Sequence, residues 1–298
     1  MQLKASLNAA IARLTTADVP SPRLNAETLL TFMLNCDRAY LFAHPERELT
    51  PDEQTSYDRV LGERSRGVPA QYITGHQEFW GMDLIVSPAV LIPRPETEHV
   101  VETVLELFKS DLGLRTSGLG TDSEARGQRS EVRILDVGTG SGAIALALAR
   151  ELPRAEIQAV DSSFTALEIA RANAACLQLD SRIQFHQADL LDGLRAESFD
   201  FIVSNPPYVG DSEEEEVQLE VRKFEPRNAV FAGPTGLEVI ERLIPQAYEC
   251  LRPGGWLVME ISGTIADSVK VLLREWDDLR VVPDLQSIPR VIRARNPR

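Results

Sequence analysis

The chain has 298 residues, of which 43% are hydrophobic and 26% charged, a composition that excludes fibrous and disordered classes and suits one large domain with a smaller one. Its 31 Lys and Arg stand against 45 Asp and Glu, for a formal net charge of −14. Affinity for nucleic acid comes largely from cations on phosphates, so a duplex-binding enzyme is disfavoured and no stable nucleic-acid complex is expected, although a local basic patch within an acidic average stays open.

The three cysteines, Cys36, Cys176 and Cys250, are far apart and lack CxxC spacing. They read as buried free thiols in a reducing compartment, not as a disulfide framework or a zinc site. His44, His76, His99 and His186 show no ligand spacing, so no metal is expected. The first residues lack the apolar block of a signal peptide, and no run approaches the roughly 20 apolar residues of a membrane span. A cytoplasmic protein without membrane attachment is the expectation.

In chain order, Leu3, Leu7, Ile11 and Leu14 fall at helical spacing. Ser21-Pro22 reads as a cap followed by proline in the first helical position, with Leu24, Leu30, Met33 and Leu34 continuing one face. Thr50-Pro51-Asp52-Glu53 fits a capping box, Tyr57, Val60 and Leu61 follow, and Gly67 is a natural stop. Residues 1–70 therefore read as a helical domain whose apolar stripes are core. A partner-binding surface is the second reading of those stripes.

Phe79-Trp80-Gly81-Met82 sits between two β-prone runs, Gln71–Thr74 and Leu84–Val86. The pattern predicts a β-hairpin linker over 71–93. Residues 94–298 form the remaining domain. Within them, 110–130 is rich in Gly, Ser and charge without apolar period, and predicts a flexible surface loop.

After residue 131 strands and helices alternate: strands at 132–137, 156–160, 183–186, 199–203, 255–260, 279–282 and 290–295, helices at 142–151, 164–177 and 236–251. This is the signature of an α/β fold with a doubly wound, mostly parallel sheet. Ligands in such sheets sit beyond the carboxyl ends of the strands, so motifs at those ends matter most.

Asp136-Val137-Gly138-Thr139-Gly140-Ser141-Gly142-Ala143 ends a strand and opens a helix. Glycines there let backbone approach a ligand, and the helix start offers free N–H groups. The spacing fits methyltransferases and dinucleotide enzymes alike, with a purely structural turn as the bland reading. Asp161 ends the second strand, where an acidic side chain accepts from ribose hydroxyls or simply caps the helix that follows. Asp189 and Leu190, after the third strand, could meet an adenine amine and ring face, or Asp189 could be another capping residue.

Asn205-Pro206-Pro207-Tyr208 follows the fourth strand directly and separates the readings. Consecutive prolines lack N–H groups and leave carbonyl acceptors. The Asn side-chain oxygen adds one more. Two acceptors can grip both hydrogens of a planar –NH2 group, and Tyr208 offers a flat face beside it. A plain turn is the bland alternative, and a dehydrogenase accounts for the glycine loop but not for this tetrapeptide. Glu213–Glu216 reads as a solvated acidic run that could flank a substrate entrance.

Together these residues resemble the release factor glutamine methyltransferases, a HemK-type family of protein N5-glutamine methyltransferases. More specific than the two shared motifs are Pro69-Ala70-Gln71-Tyr72-Ile73-Thr74-Gly75, Phe79-Trp80-Gly81, Leu91-Ile92-Pro93-Arg94-Pro95-Glu96-Thr97-Glu98 and Arg222-Lys223-Phe224-Glu225-Pro226. The resemblance implies a class I, Rossmann-like, seven-stranded S-adenosylmethionine-dependent methyltransferase with a small N-terminal helical domain for substrate recognition. Its implied acceptor is the glutamine of the Gly-Gly-Gln motif in peptide chain release factors. By matching positions, Gly138, Thr139, Gly140, Ser141 and Gly142 would cradle the cofactor. Asp161 would take the ribose, Asp189 and Leu190 the adenine side. Asn205, Pro206, Pro207 and Tyr208 would hold the glutamine amide, with Asn205 also beside the cofactor. Segment 93–98 would line the active-site side. The chain departs from the family at Leu190, where an aromatic residue is common, and at Glu260-Ile261-Ser262-Gly263-Thr264-Ile265, where a nearby Gln is usual. A nucleic-acid methyltransferase acting on adenine N6 or guanine N2 is the alternative, since the same tetrapeptide grips a flipped-out base. A non-catalytic cofactor-binding scaffold is a further one.

Overall fold

The computed structural model describes residues 1–116 and 132–298. They form two compact units, Met1–His76 with Val217–Phe224, and Gln77–Glu216 with Glu225–Arg298.

The first unit carries α1 (Leu3–Thr16), α2 (Pro22–Leu34), α3 (Arg38–Ala43), α4 (Pro51–Ser65) and α5 (Ala70–Thr74). Leu3, Leu7, Leu14, Leu29, Leu30, Tyr57, Val60 and Leu61 close into one buried cluster, each large side chain contributing about 1.5–3 kcal/mol. The Tyr57 hydroxyl, carried into that core, donates to Ala26 O at 2.8 Å, which removes the cost of burying it. The capping box forms as expected: Glu53 N donates to Thr50 Oγ1 at 3.2 Å and Thr50 N to Glu53 Oε2 at 2.9 Å. Ser21 is different. It lies at φ +48° and makes no side-chain cap, so only Pro22 does the work of starting α2. Segment Val217–Phe224 belongs to this unit through Glu220, whose Oε2 pairs with buried Arg64 at 2.8 Å.

The second unit begins with a hairpin, β1 (His76–Phe79) and β2 (Met82–Ile85). Its turn is Trp80-Gly81, both at positive φ, the conformation that matches the right-handed twist of the paired strands. The first strand thus lies later than expected, and the second starts two residues before the expected Leu84–Val86 run. Gln71–Thr74 is helix α5, started by Pro69 and ended by Gly75 at φ +80°; punctuation at both ends overrides the β propensity of Tyr72-Ile73-Thr74. α6 (Glu98–Thr116) follows, and it runs through the first residues of the expected 110–130 loop. Val100, Val101, Val104 and Leu107 are buried on one face of it. Residues 117–131 of that expected loop lie outside the described residues.

Then come β3 (Arg133–Val137), α7 (Ala143–Glu151), β4 (Glu156–Asp161), α8 (Phe164–Cys176), β5 (Ile183–Gln187), β6 (Phe199–Ser204) and β7 (Val209–Gly210). After them are α9 (Leu219–Phe224), α10 (Arg227–Val230), β8 (Phe231–Gly233), α11 (Glu238–Cys250), β9 (Leu251–Glu260), α12 (Ala266–Leu272), β10 (Asp277–Pro283) and β11 (Pro289–Arg295). The central sheet has the order β10–β11–β9–β6–β3–β4–β5. From β9 to β5 all pairings are parallel, whereas β11 runs antiparallel to both β9 and β10. Consecutive residues of β3 serve opposite faces. Ile134 joins Val104, Leu146 and Leu84 on one side, and Leu135 joins Ile240, Leu243 and Val269 on the other. Strand order reverses between β3 and β6, which places a crevice at their carboxyl ends. The Ser204 hydroxyl donates to Val137 O at 2.8 Å and ties those two ends together.

Cys250 is buried as expected, Cys36 is half-buried, and Cys176 is exposed. Cys176 ends α8, and the turn beyond it at Leu177 leaves its thiol facing solvent. Among the described residues no helix is long and apolar enough to cross a membrane.

Candidate active site

A cavity of about 460 Å³ opens at the carboxyl ends of β3, β4, β5 and β6, within the size range of small-molecule sites. Its floor is the glycine loop. Gly138, Gly140 and Gly142 all have positive φ, +70°, +55° and +86°. A Cβ at Gly138 would meet nothing within 4 Å, and one at Gly140 only the carbonyl of Gly138 at 4.0 Å. These glycines therefore hold open space above a backbone that other residues would strain to adopt. Gly142 has a second reason, since a Cβ there would press on Leu146 and Ala170. Asp136 secures the loop from below. Its Oδ2 accepts from Thr139 Oγ1 at 2.6 Å and from Ala145 N at 3.2 Å, and burial pushes its carboxyl up to about 7.

Asp161 stands at the end of β4 on the cavity wall. Its Oδ2 accepts from Gly140 N at 2.9 Å and its Oδ1 from Ser163 N at 2.8 Å. Burial raises its carboxyl above the ordinary range, opposed by those N–H groups. Capping of α8 falls to Ser163, whose hydroxyl accepts from Ala166 N at 3.2 Å. Asp189 and Leu190 line the cavity beyond β5. The Asp189 carboxylate is engaged by Arg242 at 2.5 Å, so it is a half-exposed ion-pair partner as well as an acceptor. Leu190 sits at φ +53°.

The opposite wall is made by Asn205 and Pro207, which follow β6, and by Pro93 and Thr97, which precede α6. Behind them lies Glu260, the last residue of β9, whose penultimate Met259 pairs with Ser204. Glu260 is buried, and its two oxygens accept from Thr97 Oγ1 at 2.6 Å and Tyr208 Oη at 3.1 Å. Burial raises the Glu260 carboxyl, the two hydroxyls lower it, Glu96 raises it and Arg290 lowers it. Burial, with the neighbouring Glu260 charge, raises the Tyr208 phenol well above its ordinary value, so it keeps its proton and acts as a donor. Asn205 Nδ2 donates to Thr97 Oγ1 at 3.0 Å. One polar chain thus links β6, β9 and the turn before α6.

Residues 5–75 match the PrmC N-terminal domain, and residues 124–223 the methyltransferase small domain. A curated release factor glutamine methyltransferase of Koribacter versatilis (strain Ellin345) is 54% identical over 298 residues, covering 100% of this chain and 99% of that protein. One from Rhodopirellula baltica (strain DSM 10527 / NCIMB 13988 / SH1) is 37% identical over 276 residues, covering 91% and 88%. The chain belongs to the release factor glutamine methyltransferase family. Among solved structures, the hMettl16 catalytic domain in complex with MAT2A 3'UTR hairpin 6 superposes with a TM-score of 0.55 at 17% identity, covering 76% of this chain and 79% of that one, a likeness of fold. The seven-stranded sheet is that of a class I methyltransferase.

Within this family's fold, the structure brings Gly138, Thr139, Gly140, Ser141, Asp161, Asp189, Leu190, Asn205 and Pro207 to one cavity. Tyr208 stands behind its wall, tied to Glu260. Pro206 and Gly142 do not line the cavity: Gly142 is where α7 begins, and Pro206 is the link between two lining residues. The acidic run is engaged locally, Glu214 pairing with Arg227 at 2.7 Å. Segment 93–98 supplies Pro93 and Thr97 to the wall, while sequence reasoning missed the contact of Thr97 with Asn205, the hydrogen-bonding role of Glu260, and Glu225, which accepts from Ile92 N at 3.0 Å and pairs with Arg94. The signal for Thr97 and Glu225 was indirect, as polar residues embedded in the motifs 93–98 and 222–226, and that for Glu260 was its place at the end of a predicted strand.

Proposed function

We propose that the protein transfers the methyl group of S-adenosylmethionine to the side-chain amide nitrogen of the glutamine in the Gly-Gly-Gln motif of peptide chain release factors, in the cytoplasm. The observation that carries this reading is the placement of Asn205 on the wall of the same cavity whose floor is the glycine cradle.

The cradle fits the cofactor. Gly138 and Gly140 leave open space, and Asp161 offers a carboxylate at the strand end where ribose hydroxyls are met. Asp189 and Leu190 would meet the adenine. When bound, S-adenosylmethionine supplies an electrophilic methyl on a sulfonium, so that an S–C bond would be exchanged for an N–C bond, S-adenosylhomocysteine would leave as the neutral thioether, and the amide nitrogen would give up one proton to water. The chain's own residues do the rest. Asn205 Oδ1 and the Pro206 carbonyl accept the two amide hydrogens of the glutamine, which fixes the nitrogen and stabilises positive charge growing on it. Pro207 supplies a rigid surface beside the amide, and Tyr208, tied to Glu260 behind the wall, braces the same turn. An amide nitrogen is a weak nucleophile because its lone pair is delocalised. Positioning therefore has to supply most of the acceleration, and well-oriented groups can contribute about 7–11 kcal/mol. The helical unit Met1–His76 is assigned to holding the protein substrate. Leu24, Phe32 and Phe42 are large hydrophobic side chains exposed on it.

The test is transfer of labelled methyl from S-adenosylmethionine to a purified release factor, with a Gly-Gly-Gln to Gly-Gly-Ala factor as control. Label on the first and none on the second supports donor, substrate and acceptor together. Label on RNA or DNA instead overturns the protein substrate.

A further inference from the structure

Resting on that reading, we propose that Thr97 is a positioning residue for methyl transfer: held by Glu260, it sets the Asn205 amide so that Oδ1, and not Nδ2, faces the substrate nitrogen.

The reasoning is a count of protons. A threonine hydroxyl has one proton to give. At 2.6 Å from Glu260 Oε2, Thr97 gives that proton to the carboxylate, which accepts only. Tyr208 gives its single phenolic proton to the other oxygen, at 3.1 Å. Two hydroxyl donors thus favour the carboxylate form of Glu260, opposing the burial that raises it. Thr97 Oγ1 then has only lone pairs left for Asn205. The one Asn205 atom that can satisfy a lone pair at 3.0 Å is Nδ2. With Nδ2 committed to Thr97, Oδ1 is the other arm of the planar amide, on a residue that lines the cavity.

The alternative orientation is chemically wrong for this reaction. With Nδ2 toward the substrate, donor would face donor, because a primary amide presents two N–H groups. The two orientations of an asparagine differ little in shape, so shape alone cannot choose between them. Choice requires a neighbour of fixed polarity. Glu260 supplies that polarity from the end of β9, and Thr97 transmits it across to the end of β6. Thr97 is 4% exposed and Glu260 3%, so water does not compete for either partner. The same chain also explains why a buried, otherwise costly carboxylate stands behind the wall. It defines a direction for every hydrogen bond that ends at the reacting amide.

The experiment compares Thr97→Val, which removes the hydroxyl at nearly constant volume, with Thr97→Ser, which keeps it. Release-factor methylation is followed at saturating cofactor, and cofactor affinity is measured by calorimetry with S-adenosylhomocysteine. The expected result is a fall in kcat on the order of 10²-fold for Thr97→Val, the size of a misplaced reacting group. KM and cofactor Kd should barely change, and Thr97→Ser should recover most of the loss. A second measurement does not depend on turnover. In full-length protein labelled with 15N at asparagine, the Asn205 side-chain N–H should show slow solvent exchange in the wild type and Thr97→Ser, and fast exchange in Thr97→Val. Unchanged kcat in Thr97→Val, loss of activity in Thr97→Ser equal to that in Thr97→Val, or exchange that ignores the hydroxyl would each overturn the relay. Because the spectrum needs no substrate, it decides the relay even if wild-type protein fails to methylate a release factor, an outcome that counts against the proposed function instead.

Discussion

Glu225 accepts the backbone N–H of Ile92 at 3.0 Å across 133 residues of sequence, and its other oxygen pairs with Arg94. Glu225 is buried, and Pro226 beside it lines the cavity, as do Pro88–Leu91 and Pro93 on the opposite strand of chain. One carboxylate therefore joins two loops that wall the cavity. Removing it leaves a buried N–H without a partner, at a cost of about 1–3 kcal/mol. Glu225→Ala is expected to lower the melting temperature and to weaken S-adenosylhomocysteine binding in calorimetry. Binding at wild-type strength would show that the loops are held by other contacts.

Gly236 is a second distant residue, and it packs against the backbone that follows Asn205–Pro207. It has φ +80°, and a Cβ there would lie 2.5 Å from the carbonyl oxygen of Tyr208 and 3.1 Å from Gly210 N. Backbone cannot yield as a flexible side chain can. Gly236→Ala should therefore displace the loop from Asn205 to Tyr208, besides the roughly 1–3 kcal/mol of strain at a left-handed position. Steady-state kinetics at saturating cofactor should show a lower kcat with cofactor affinity retained. A variant of normal kcat would mean the loop tolerates the shift.

The central sheet was legible because its strands are short, mostly apolar runs bounded by turn residues, as in Arg133–Val137 and Phe199–Ser204. The glycine loop and Asn205–Tyr208 were legible because their chemistry is concentrated in short stretches. What escaped was local punctuation and long-range pairing. Helix α6 carries Val100, Val101, Val104 and Leu107 at helical spacing, yet it lies between a proline-rich turn and a glycine-rich stretch that draw attention away from it. Segment Val217–Phe224 joins the helical unit through the Glu220–Arg64 pair, which no local pattern announces. The contacts of Thr97 and Glu260 depend on strand order: only the adjacency of β6 and β9 brings Asn205 and Glu260 together.

Asp161 and Asn205 share a cavity but are expected to fail differently. Asp161 bonds to Gly140 N and Ser163 N, on the glycine-loop side of the cavity. Asp161→Ala should weaken S-adenosylhomocysteine binding on the order of 10-fold to 100-fold, the worth of hydrogen bonds to a charged group. At saturating cofactor its kcat should be largely kept. Asn205→Ala should do the reverse, reducing kcat on the order of 10²-fold to 10³-fold, as loss of one preorganised group that stabilises developing charge does. Titration calorimetry beside single-turnover methylation separates them. A large loss of cofactor affinity in Asn205→Ala, with normal turnover at saturation, would reverse the assignment.

Asp136 links pH to stability. Burial is the main cause that raises its carboxyl from 3.8 to about 7; hydrogen bonds from Thr139 and Ala145 N oppose the rise, and the charge of Asp161 adds to it. Its Oδ1 has no hydrogen-bond partner among the described residues. The folded state therefore binds the Asp136 proton more tightly than the unfolded chain does. Its contribution to stability is fully present below pH 3.8 and is lost as the pH rises through about 7. Each tenfold difference in proton affinity corresponds to ~1.4 kcal/mol, so the loss is on the order of a few kcal/mol. Asp136→Asn resembles the protonated acid, with an amide where the acid has its proton. Denaturant unfolding of ligand-free protein from about pH 5 to about pH 8 should show the wild type losing stability relative to Asp136→Asn as the pH rises. A difference that stays constant across this range would mean that Asp136 is already ionised at pH 5 in the folded protein, with Thr139 and Ala145 N offsetting its burial in full.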